Sequence, residues 1–244
     1  MPDRVYVTMI GQAPMKTRQG VELLLTALGP DYVPTHWGLD ERAPNPFDVE
    51  AVVAGVLGLP TSVAMPALHR RKSPRYQAYF TAKNQGLTGV KLEFSSMTSV
   101  LALRRVFELG ARLASALKPH FGFVHPIWRL GDRSQTYSAI GILSVTEYAK
   151  FGPKGLCART WIGPLLLDRI TTALLRGSGA FVVQESWGGA HVDLVEEPWS
   201  AGFERLAQAQ TRSMQHLVPA GVWSDHSVPY DPKPGPRWTA LEEW

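Results

Sequence analysis

The 244-residue chain contains one cysteine, Cys157, and is poor in charge: Asp, Glu, Lys and Arg make up 19% of it, against roughly 25% in an average soluble protein. A lone cysteine forms no internal disulfide, so the fold rests on packing. No apolar run reaches the ~20 residues a membrane-crossing helix needs; Gly, Pro or a charge breaks the longest ones. The opening Met1-Pro-Asp-Arg-Val-Tyr-Val lacks the basic region, apolar stretch and cleavage site of a secretory signal. These absences point to a reducing, cytoplasmic setting. Local signatures of catalysis are missing too: there is no G-x-S-x-G elbow, no phosphate-binding Gly-Lys-Ser/Thr loop, no H-E-x-x-H and no C-x-x-C. No cofactor or metal is therefore expected.

What is present is core material. Hydrophobic residues reach 45%, and eight tryptophans are among them, enough apolar surface to offset the entropy of ordering and to exclude general disorder. No repeat occurs, and the one biased tract is Pro229-Tyr-Asp-Pro-Lys-Pro-Gly-Pro236. A single compact domain over residues 1–228 followed by a Pro-rich tail over 229–244 is the expected organisation. The net charge of +4 conceals an asymmetry: residues 1–50 carry −3, residues 51–180 carry +12 and residues 181–244 carry −5. A basic middle suits an anionic partner and an acidic last quarter a cationic one.

Hydrophobic periodicity gives the elements. Val5, Val7 and Met9 alternate with Tyr6 and Thr8 as in a strand, and Val21, Leu24, Leu25 and Leu28 share a helical face that Gly29-Pro30 ends. Residues 32–39 read as a strand interrupted by Pro34, residues 48–57 as a helix capped by Asp48, and residues 76–83 and 89–94 as a hairpin. The clearest helix is Ser99 to Lys118, with Val100, Leu103, Phe107, Gly110, Ala114 and Leu117 at spacings of three and four. Strands follow at residues 120–125, 138–144 and 156–161, a helix from Pro164 to Arg176, a strand pair at 180–184 and 191–195, and a helix from Ser200 to Leu217. Strands and helices interleaved this irregularly favour an α+β fold, with helices packed on a mixed or largely antiparallel sheet.

The candidate chemistry is sparse. Cys157, flanked by Leu156 and Ala158, reads as a small core hydrophobe. His191 and Asp193 share one face of a strand, but two ligands fall short of the three that a catalytic zinc takes. Asp225-His226 is expected to be a loop pair, because sequence neighbours rarely face each other. The densest basic run, His69-Arg-Arg-Lys72 with Arg75 and the nearby Tyr76, Tyr79 and Phe80, has the ingredients of a single-strand nucleic-acid site. The simpler reading is a solvated loop entering a strand of core aromatics.

Several strings in order then carry a family likeness: Lys118-Pro-His-Phe-Gly-Phe-Val-His125 after the long helix, Gly155-Leu-Cys-Ala-Arg-Thr-Trp-Ile-Gly163, Trp187-Gly-Gly-Ala-His-Val-Asp-Leu-Val-Glu-Glu-Pro198 and Leu217-Val-Pro-Ala-Gly221. Residues 96–221 resemble immunity proteins of bacterial polymorphic toxin systems. The likeness is to a tryptophan-rich α+β immunity family that sits beside nuclease toxins of restriction-endonuclease fold, and also to type VI secretion immunity proteins. The resemblance implies a protein that binds and neutralises a cognate toxin, a nuclease by expectation, by stoichiometric occlusion and without catalysis, membrane or direct nucleic-acid contact. It makes Trp161, Gly163, Trp187, Gly188, Gly189 and Pro198 scaffold positions and supplies no catalytic residue. A nuclease presents a cationic surface to its substrate, so Glu185, Asp193, Glu196 and Glu197, with Trp187 as aromatic anchor, are the expected toxin-binding residues. Two rival readings remain: a small hydrolase-like enzyme, and a nucleic-acid-binding module built on the basic middle.

Overall fold

The alternating Val5, Val7 and Met9 of the first expected strand lie at the centre of a large sheet, in β1 (Arg4–Gly11). The fold is that of a computed structural model, which describes residues 1–59, 65–83, 86–130, 133–135, 144–227 and 231–241. Ten strands follow β1 in the chain: β2 (His36–Gly38), β3 (Asn45–Pro46), β4 (Ala67–Arg70), β5 (Tyr76–Phe80), β6 (Thr88–Ser95), β7 (Phe121–Leu130), β8 (Arg133–Gln135), β9 (Arg159–Ile162), β10 (Phe181–Gln184) and β11 (Ala190–Asp193). Their spatial order is β10-β11-β9-β7-β1-β6-β5-β4-β2-β3, with β8 paired to β7. Each of these pairings is antiparallel, so the expected largely antiparallel α+β architecture is what forms. Tyr6 and Thr8, the polar half of the β1 alternation, are buried as well. A central strand is covered on both faces, which its period of two alone does not reveal.

The helices are α1 (Arg18–Leu28), α2 (Val49–Leu57), α3 (Val100–Leu117), α4 (Val145–Phe151), α5 (Pro164–Leu167), α6 (Thr172–Gly177) and α7 (Phe203–Leu217). Helix α3 starts where the Ser99 hydroxyl accepts from the Ala102 amide and ends at Lys118, whose left-handed backbone (φ 46°) precedes Pro119. Its stripe of Leu103, Val106, Phe107, Leu109, Leu113 and Leu117 is buried against α1, β1 and β7, and each such side chain contributes about 1.5–3 kcal/mol. Gly110 permits the close approach: a Cβ there would lie 2.8 Å from Val124 and 2.9 Å from Trp161. Across the sheet, Tyr148 of α4 stacks on Phe121 of β7 at 5.8 Å. Capping by Asp48, whose carboxylate accepts from Ala51 at 2.8 Å, starts α2 as expected.

Four expectations are corrected. The helix expected over Pro164 to Arg176 is two short ones. Thr171 leaves helical geometry and caps the second by accepting from Leu174 at 3.2 Å, a competition that Ser and Thr side chains often win against the backbone ladder. Ser200 does not cap α7; its hydroxyl donates to Glu197 O, and the helix begins after Gly202. Residues 32–39 shrink to β2 behind a 3-10 turn at Pro30–Tyr32. The basic run is a solvated loop only in part: Arg71, Lys72 and Arg75 are exposed ahead of β5, whose Tyr76 and Phe80 are core, but His69 and Arg70 are buried residues of β4. The strand expected at 138–144 lies outside the described residues apart from Ser144, which caps α4.

The tryptophans divide by depth. Trp161 and Trp223 are buried, while Trp37, Trp128, Trp187, Trp199 and Trp238 are half-buried against the core. Within the Pro-rich C-terminal segment, residues 231–241 run back along the body. Lys233 bridges Asp225, Arg237 donates to Gly221 O at 2.7 Å, and Trp238 sits on Tyr148 and donates its indole N–H to Ala149 O.

Candidate functional site

The β10–β11 hairpin carries the expected toxin-binding residues, and its register decides which are available. Asp193 stands opposite Arg159 of β9, and His191 opposite Trp161. The Asp193 carboxylate accepts two bonds of 2.6 Å from Arg159 Nε and Nη2, with side-chain exposures of 8% and 12%. Around that guanidinium lie the rings of Phe107, Trp161 and Trp199, each 5.7–5.9 Å away. This is a bidentate, desolvated pair within an aromatic cage. Asp193 therefore lies inside the molecule, its carboxylate committed to Arg159.

Glu185 is partly committed as well: its Oε1 lies 2.7 Å from His191 Nδ1. At the turn, Gly188 has φ +91° and the Trp187 ring folds over Gly189, where a Cβ would come within 2.0 Å of the indole. The glycine pair thus lets Trp187 lie back on its own hairpin, half-buried, with no acceptor for its indole N–H among the described residues. Glu196 and Glu197, in the turn after β11, are exposed. Of the four carboxylates, these two face solvent freely.

The second charged region is one that the sequence marked but misplaced. Residues Glu93, Gln77, His69 and His36 stand opposite one another across β6, β5, β4 and β2. At the end of this row, Arg4, Arg70, Arg71 and Arg75 line a cleft of about 780 Å³ together with His69 and Glu93. Arg4 pairs with Glu93 at 2.9 Å. Arg70 is buried, and its Nη1 and Nη2 donate to the carbonyls of Val33 (2.7 Å) and Ser73 (3.2 Å), while its Nε has no acceptor among the described residues. Arg71 donates to Ala43 O at 3.2 Å. Among the described residues no carboxylate lies within ion-pair distance of Arg70, Arg71 or Arg75. Burial, helped by Arg71 and His36, holds the His69 imidazole below its usual range. The run His69 to Lys72 with Arg75 was visible in the sequence; Arg4 joins it through the pairing of β1 with β6, which leaves no local signal.

The candidate nucleophiles and bases are placed apart. Cys157 is fully buried, and burial pushes its thiol well up. His125 is fully buried, with an imidazole lowered by desolvation to about 3. His226 Nε2 lies 3.0 Å from Ser224 Oγ, but that hydroxyl also bonds Pro153 O, and Asp225 accepts from Ser227 rather than orienting the ring. Among the described residues, no three of His, Cys, Asp and Glu gather as a metal site, and no helix is long and apolar enough to cross a membrane.

The fold and these surfaces define a single-domain α+β protein whose antiparallel sheet bears separate acidic and basic regions. Among solved structures of similar fold is a Pseudomonas aeruginosa T6SS protein, PA0821, with a TM-score of 0.53 and 14% identity over 86% of this chain and 77% of that one. At such identity the likeness establishes the shared fold. No family model matches the chain, and no curated protein matches it in sequence.

Proposed function

We propose that the protein is an immunity protein of a secretion-delivered toxin, neutralising its partner by stoichiometric binding. The observation that carries this reading is the shared fold with a T6SS protein over most of both chains. It agrees with the Trp, Gly and Pro strings from residues 118 to 221 that resemble type VI immunity proteins. A nuclease is the toxin class that best uses both charged regions. Its substrate-binding surface is cationic and suits Glu196 and Glu197, with Glu185 at the opposite end of the β10–β11 hairpin, while its metal-binding centre is acidic. Inhibition of this kind needs buried anchors that set the dissociation rate and complementary charge that speeds encounter.

The test is co-expression with each candidate toxin domain encoded in the same genome, followed by titration of the purified pair. Protection that saturates at one protein per toxin supports the reading. Protection by substoichiometric amounts overturns it, because turnover belongs to an enzyme.

A further inference from the structure

We propose that the arginine cleft at the β4–β5 end of the sheet is the seat of an acidic segment of a partner protein, whose carboxylates engage Arg71 and Arg75 above the buried Arg70. The proposal deepens the binding reading by naming the partner's chemistry, and takes from it that the occupant is a protein. Three observations converge. First, the cleft holds four arginines against one glutamate, a net charge of +3 with His69 neutral, in a volume of about 780 Å³.

Second, Arg70 is 8% exposed yet has two backbone carbonyls as acceptors, an unpartnered Nε and no counter-ion among the described residues. A buried cation without an anion is costly, and an anion brought from outside lowers that cost. Third, the guanidinia of Arg70 and Arg71 are fixed by the carbonyls of Val33, Ser73 and Ala43. Docking a carboxylate there immobilises little that is not already fixed, and the planar fork matches a carboxylate in bidentate fashion.

Local charge favours carboxylates on a protein over a nucleic-acid backbone. A phosphate chain needs a continued basic track, whereas here Glu93 lies in the cleft and the Tyr79 hydroxyl, raised chiefly by burial, is raised further by the charge of Glu41. An acidic loop delivers its charge at one place and avoids both.

The experiment is fluorescence anisotropy on the full chain at low salt, with three labelled probes: an octaglutamate peptide, an octaglutamine peptide and a thymidine octanucleotide. Octaglutamate should bind most tightly and lose about tenfold or more in affinity in R71Q/R75Q, both exposed positions, and weaken with added salt. R205Q/R212Q, which removes two exposed arginines of α7, should leave binding unchanged. The proposal is overturned by octaglutamate binding no tighter than octaglutamine, by equal losses in the two variants, or by the oligonucleotide binding more tightly than octaglutamate. No toxin is present in this assay, so its failure leaves neutralisation standing, and a failure of neutralisation in cells leaves the cleft standing.

Discussion

At the scale of single residues, the Arg159–Asp193 pair determines what the hairpin can offer a partner. Both groups are desolvated and joined by two short bonds inside a cage of three rings, so removing one strands the other. D193A should lower stability by about 3–5 kcal/mol in urea unfolding, whereas R159M/D193L, which removes both charges, should recover much of that loss. A double variant as unstable as the single one would show that the cage requires a cation. The sequence displayed Asp193 as a carboxylate beside two others; that it faces Arg159 follows from a register fixed only when β9 and β11 pair. His125 sets the pH response. Its folded-state value of about 3 lies below the ordinary one near 6.5, so the unfolded chain takes up the proton first. Stability is therefore complete above about pH 6.5 and falls as pH drops toward 3, by up to about 1.4 kcal/mol per pH unit. Burial lowers His69, His120 and His226 in the same direction. Urea midpoints should thus decrease from pH 7.5 to pH 5, and H125N should shallow that decrease; an unchanged slope would assign the effect to the other three.

At the scale of elements, α3 was legible because one sequence feature fixed each of its parts: Ser99 the start, the stripe the buried face, Pro119 the stop. S99A removes the oxygen that accepts from Ala102 and should cost about 1 kcal/mol, read as a loss of roughly 2–4 °C in thermal midpoint for a chain of this size. No shift would mean that the first turn is held by packing of Leu103 and Val106 rather than by its cap. The segment from Pro164 was less legible, since its apolar stripe of Leu166, Ile170 and Leu174 is continuous while the backbone is not. There Thr171 satisfies the Leu174 amide locally, and periodicity does not register such a competition. The same limit hid the cleft. A run of His, Arg and Lys looks solvated in one dimension, yet β4 places His69 and Arg70 between neighbouring strands, where carbonyls from residues 33 and 73 receive the guanidinium.

At the scale of the whole molecule, folding turns the charge asymmetry of the sequence into distance. Strand β4, which leads into Arg71 at the far side of the arginine cleft, and β11, which leads into Glu196 and Glu197, lie six positions apart in the sheet order. At about 4.8 Å per strand they are separated by roughly 30 Å, more than three Debye lengths at physiological ionic strength, about 8 Å each. The two regions therefore act on a partner independently, and sites so far apart contribute additively to binding energies. This gives a kinetic expectation for the complex with the proposed toxin. R71E/R75E and E196K/E197K should each slow association several-fold at low salt, because encounter is steered by complementary charge, and each effect should shrink as ionic strength rises. In the quadruple variant the two reductions should multiply, a result that stopped-flow measurements at two salt concentrations can check directly. An association rate unaffected by E196K/E197K would confine the contact to the basic end. A quadruple variant slower than the product would instead mean that one partner group, or one conformational step, couples the two ends across the sheet.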